Sequence, residues 1–252
     1  MKWTLTPDQF AFAWECTDGD RIPYPLAVRL SARDSGERDA QLPGLKEWCS
    51  RALDADLEAA LRVLAQPTIR VEVFGRQGPA ADAPPVRVLG AAAGHVTVVA
   101  AQRPGDAPDR GGEVRLFVGT AKVLAPRLIS VLPEKAAGSQ PRYSAPVGRV
   151  REDSRDLVTV PISGPSEPAR IRRLLKQPRD GIGQIVVSAR RSNGELRPLG
   201  VLCWIDVTGD GRYTVHTRTE VAVAPVTAEA FAAQLRPMLT AAERVVADTD
   251  GW

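Results

Sequence analysis

Pro67 and Pro178 each close a helical pattern and release the chain at once into strand-like sequence. This event, repeated at an offset of 111 residues, constrains the fold more than any other feature. The first helical pattern covers 54–65, where Leu57, Leu61 and Leu64 recur at i, i+4 and i+7. Proline lacks the N–H that another turn would need, so the helix stops there. In 69–75, Ile69, Val71 and Val73 alternate with Arg70 and Glu72, the period of a half-buried strand. Further strands are predicted at 86–91 and 96–101, joined near Gly94, and at 113–118. A second amphipathic helix follows at 122–132, with Val123, Leu124, Leu128 and Val131 on one side and Pro133 closing it.

The same order returns in the second half. Residues 168–176 read as a helix with Ile171, Leu174 and Leu175 inward, then strands at 183–188, 199–207, 212–217 and 220–224, then a last helix over 227–239. An α-β-β-β-β-α series written twice implies an α+β fold with pseudo-twofold halves, a mainly antiparallel sheet packed with helices that include a C-terminal one. The expected organisation is a single domain over 1–252, with half-repeats at about 50–133 and 168–240. The connector 134–167, rich in Pro, Gly, Ser and Arg, is expected to be a partly mobile hinge between them.

Function classes narrow by inventory. Apolar residues make up 44% and charged residues 25% of the chain, which excludes disorder throughout, and a net charge of +3 falls well short of a nucleic-acid coat. Cys16, Cys49 and Cys203 are odd in number and widely spaced, so neither a disulfide framework nor a zinc site is expected, and a reducing, cytoplasmic setting fits. Asp8 and Glu15 interrupt what would have to be the apolar core of a signal peptide, and no run reaches the roughly 18 apolar residues of a membrane span. With two histidines, His95 and His216, and no G-x-S-x-G, H-E-x-x-H or phosphate-loop motif, no catalytic residue, cofactor or metal ligand is expected. The stretch 206–212 resembles a calcium loop superficially, but Thr208 and Thr217 stand where that loop needs a carboxylate or amide oxygen and a bidentate Glu.

That stretch reads instead as a hairpin turning at Gly209, Asp210 and Gly211, which pairs Val207 with Tyr213, Ile205 with Val215 and Cys203 with Thr217. Trp204 then opposes His216 on the other face, and Phe74 and Phe117 also stand out of phase with the apolar residues of their own strands. If helices cover one face of the sheet only, Phe74, Phe117, Trp204 and His216 line an open docking face; if helices cover both, the aromatics are core. A competing feature is the basic helix with Arg170, Arg172, Arg173, Lys176 and Arg179, which would suit a nucleic-acid-binding regulator. No stacking aromatics accompany it, and arginines on the solvated side of an amphipathic helix are ordinary.

Several of these stretches also carry a resemblance. The W-T-L-T of 3–6, the R-I-P-Y-P-L of 21–26, the L-E-A-A-L-R-V-L-A-Q-P of 57–67 with the strand after it, the L-L-K-Q-P-R-D-G-I-G-Q of 174–184 and the W-I-D-V-T-G-D-G-R-Y of 204–213 resemble the EspG proteins of actinobacterial type VII (ESX) secretion. The resemblance implies a cytosolic, non-enzymatic chaperone that holds secretion substrates soluble until the machine takes them. In mycobacterial members these are PE–PPE heterodimers, gripped at the apolar tip of the PPE helical bundle through the sheet and the C-terminal helices. It implies a helical PE/PPE-like or WXG-type partner here, with no nucleic acid and no membrane insertion, and leaves room for a homodimer. Residues 31–48 and the connector, outside the matching stretches, are expected to be loops that set which partner is accepted.

Overall fold

The computed structural model describes residues 1–17, 21–80, 82–152 and 165–250. In chain order the elements are β1 (Lys2–Leu5), α1 (Pro7–Thr17), α2 (Ser35–Ala52), α3 (Ala55–Ala65), β2 (Ile69–Gln77), β3 (Pro85–Ala93), β4 (Val96–Pro104) and β5 (Gly111–Gly119). Then come α4 (Ala121–Ser130), β6 (Tyr143–Pro146), α5 (Val147–Arg151), α6 (Glu167–Leu175), β7 (Arg179–Arg190), β8 (Leu196–Val207), β9 (Gly211–Thr217), β10 (Glu220–Pro225) and α7 (Ala228–Asp250). The order α3-β2-β3-β4-β5-α4 therefore recurs as α6-β7-β8-β9-β10-α7.

All ten strands join one antiparallel sheet in the order β1-β5-β4-β3-β2-β7-β8-β9-β10-β6. Each half is a meander that runs outward from the central β2–β7 pair, in which Val73 lies opposite Ile185 and Gly75 opposite Gly183. Helices lie on both faces. On one, α4 and α7 bring Leu124, Leu128, Phe231 and Leu235 onto Val71, Val73, Val187, Leu202 and Trp204, all of them buried. On the other, two separate cores form. Phe10 and Trp14 of α1 with Leu57, Leu61 and Leu64 of α3 cover Leu89, Val98, Ala100 and Leu116. Ile171 and Leu174 of α6, with Tyr143 of β6, cover Ile205, Val207, Tyr213 and Val223. Burying each such side chain contributes about 1.5–3 kcal/mol, so the two faces jointly hold the sheet.

Four expectations need correction. The 204–217 hairpin turns one residue earlier, at Thr208, Gly209 and Asp210, with Gly209 at φ +73°; Val207 pairs with Gly211, Ile205 with Tyr213 and Cys203 with Val215. Trp204 thus opposes Thr214, not His216. The shift of two positions keeps every residue on its face, and its cause is electrostatic. It sets Asp206 directly across from Arg212, whose guanidinium donates to both carboxylate oxygens at 2.7 and 2.9 Å in a buried, two-pronged ion pair.

Much of the connector is built into the fold. Ala137 bridges to Arg212, the Pro133 carbonyl accepts from the Arg212 guanidinium at 2.9 Å, and β6 adds the outermost strand beside β10. Residues 153–164, expected as part of the hinge, lie outside the described residues. The segment 31–48, expected as a loop, mostly belongs to α2. There Asp34 caps the helix by accepting from the Glu37 N–H, and Glu37 accepts in return from the Arg33 N–H. Finally α7 runs on past Leu239, because Ala242, Val245 and Val246 keep packing on the same core.

Candidate docking site on the sheet

The two cores on the α3/α6 side leave a stripe between them. From the pairing of Glu72 with Val186, Phe74 with Gln184, Val186 with Val201 and Cys203 with Val215, the residues Glu72, Phe74, Gln184, Val186, Val201, Cys203 and Val215 share one face of the central strands. Of these, only Val215 packs against either core on that side, and then from its edge. The stripe sinks into a groove of about 460 Å³ lined mainly by Phe74, Ile182, Gln184, Cys203, Val215 and, from the end of α6, Leu175. Val201 is 46% exposed at its end. Tyr24, 55% exposed, stands over Phe74 with ring centroids 5.0 Å apart at 73°, an edge-to-face contact.

The groove is weakly polar. Burial pushes the Cys203 thiol up, so it stays protonated and behaves as a small apolar group. Burial also raises the Glu72 carboxyl against the opposing pull of Arg70, whose own guanidinium burial drives down. At one rim Arg179 is turned back by donating to the Leu175 carbonyl. An apolar floor between flanking helices, with charge kept at its edge, is a surface for packing against another protein.

The four residues expected on an open face do not come together. Phe74 is in the groove. Trp204 is on the opposite face, 1% exposed and edge-on to Phe231 at 6.2 Å, so its open placement is overturned: α7 covers it. His216 shares that opposite face, exposed, with Nε2 3.4 Å from Gln234 Oε1 of α7. Phe117 is also on the α4/α7 side but near the far sheet edge, half-buried beneath Lys2 and Arg127. The faces were exchanged because β8 reads Leu202, Cys203, Trp204, Ile205 and Val207, apolar on both sides, and such a run carries no sign of which side stays open. Cys203, Val215 and Tyr24 are the groove residues that period alone did not find.

The basic helix is largely spoken for. Arg170 donates to the Pro165 carbonyl and lies 5.8 Å from the Tyr143 ring, and Arg172 donates to the carbonyls of Arg149 and Glu152 at 2.8 Å. These arginines tie α6 to its neighbours. Among the described residues no three His, Cys, Asp or Glu side chains gather as a metal ion would need, and no helix is long and apolar enough to cross a membrane.

Fold and groove thus define a class, an α+β protein whose one continuous sheet is walled by helices on both sides and left open along its centre. Residues 6–237 match the EspG family, and the chain belongs to that family. The solved structure of the Mycobacterium tuberculosis type VII secretion system chaperone EspG5, in complex with a PE25–PPE41 dimer, has the same fold. It aligns at 17% identity and a TM-score of 0.61 over 99% of this chain and 96% of that one. No curated protein matches the chain.

Proposed function

We propose that this protein is a non-catalytic, cytoplasmic chaperone of type VII secretion, which binds a helical PE/PPE-like or WXG-type substrate and keeps its apolar surface from water until export. The observation that carries the reading is the open stripe on the central strands, apolar along its floor and bounded by α3 and α6. Membership of the EspG family and the PE25–PPE41 dimer held by EspG5 support it. In this reading the chain acts as one domain of two half-repeats, and the groove formed where they meet is what the partner fills. Phe74 and Tyr24 supply the aromatic anchors, Val201, Cys203 and Val215 the floor, and Trp204 props that floor from behind.

The test is co-expression with a helical PE/PPE-like pair encoded by the same genome, followed by size-exclusion chromatography. The wild-type chain is expected to co-elute with the pair. Val201→Asp, at an exposed position, is expected to weaken binding at least tenfold with little change in thermal unfolding, because burying an unpaired carboxylate costs several kcal/mol in the complex alone. Phe74→Asp, at a half-buried ring beneath Tyr24, is expected to weaken binding and lower the unfolding midpoint as well. Variants that co-elute as well as wild type place the interface elsewhere.

A further inference from the structure

A second concavity lies on the α4/α7 side of the sheet, at the end away from the groove. It has a volume of about 460 Å³, and five cations line it: Lys2 of β1, Arg87 of β3, Arg103 of β4, Arg115 of β5 and Arg127 of α4. No carboxylate is among its described lining residues. Glu113 lies 3.5 Å from Arg103. Lys2 and Arg127 converge on the Phe117 ring, with Nζ 5.5 Å and Cζ 4.7 Å from its centroid. Beneath them Arg115 is half-buried. Like charges gathered in one cavity repel, and the ion pair with Glu113 engages Arg103. An anion seated among Lys2, Arg115 and Arg127 offsets that repulsion.

We infer that this cavity binds a phosphomonoester, its phosphate held among Lys2, Arg115 and Arg127. A dianion suits the charge better than a carboxylate does. Three terminal oxygens accept from two guanidinium forks and an ammonium at once, where a carboxylate offers two. The volume exceeds that of a phosphate group, and the remainder is walled by Val86, Val88 and Val131, so the ligand carries an apolar body beside its phosphate. Phe117, singled out by its phase in the sequence, acts here as the plate that gathers the cations. The site faces away from the groove and is independent of what fills that groove.

The experiment is isothermal titration of the full chain at about 0.15 M salt with phenyl phosphate and, in parallel, inorganic phosphate. Phenyl phosphate is expected to bind saturably and several-fold more tightly than inorganic phosphate. Arg115→Gln and Lys2→Gln are each expected to weaken it about tenfold, the loss of one charge-assisted contact. Lys2 is exposed and its variant is expected to keep the wild-type melting temperature, so that arm stands even if Arg115→Gln folds poorly. Absence of saturable binding, or unchanged affinity in Lys2→Gln and Arg127→Gln, overturns the site; equal affinity for the two phosphates overturns the apolar body.

Discussion

At the scale of single residues, Trp204 and Cys203 are neighbours in the chain with opposite surroundings. Trp204 is closed in by Phe231 and by the bare backbone of Gly183, where an added Cβ would come within 2.2 Å of the indole. Trp204→Ala is therefore expected to cost about 3–5 kcal/mol, seen as a lower midpoint in urea unfolding. Trp204→Arg is expected to leave no soluble folded protein, and a folded, stable Arg variant that merely loses its partner would return the indole to the open side. The sequence made plain that Trp204 matters and that it alternates with Cys203 and Ile205. It carried no information on which set meets solvent, because both sets are apolar and the choice rests on where α6 and α7 land, contacts that join residues far apart in the chain. Phe74 was legible because its strand alternates with charged residues, so an aromatic among Arg70, Glu72 and Arg76 stood out.

Elements with strong apolar period were read close to their observed bounds. The N-cap of α3 is Asp54, whose carboxylate accepts from the Leu57 N–H, and the Pro67 stop was visible in the sequence. The helix α2 was missed for a physical reason. Of its eighteen residues only Cys49 is buried, Leu42, Leu45 and Trp48 are half-buried, and Pro43 sits inside it, so the apolar face that marks a helix is weak. What holds it is the cap at Asp34 and Glu37, the pair of Arg38 with Glu15 of α1 at 3.2 Å, and Trp48 packed against the α1/α3 core. The cap was present in the sequence as Asp34 and Glu37, three apart, for a reader who weighs termini over faces. Asp34→Ala is expected to remove about 1 kcal/mol from this helix. Hydrogen exchange should show amides of α2 opening several-fold more often, with the sheet amides unchanged, since so little of the core depends on α2. Exchange rising equally in β2 and β7 would mean that α2 is coupled to the whole.

At the scale of the molecule, the two meanders were legible because each is built from local turns, such as the one at Gly94 with φ +57°. The joint between them was not. It is the pairing of β2 with β7 across more than a hundred residues, and it depends on two glycines that face each other, Gly75 and Gly183. A Cβ on Gly75 would stand 2.2 Å from the Ile182 carbonyl oxygen, and one on Gly183 would stand 2.6 Å from the Phe74 carbonyl oxygen, so the backbones meet closer than any side chain permits. Gly75→Val is accordingly expected to destabilise the whole protein by about 1–3 kcal/mol or more, with both halves losing structure together. Circular dichroism and tryptophan fluorescence should report one shared, lowered transition. Two separated transitions would show halves that stand alone.

The sheet ends in strands of four residues on each side, β1 and β6. β1 carries Lys2, and β6 finishes at Pro146, which has no N–H to offer. Sheets this broad ordinarily invite extended chains to add themselves at the margin. With both margins this short and blunted, the function proposed above has cargo taken up by side-chain packing on the middle of the sheet, with no backbone template along which to polymerise.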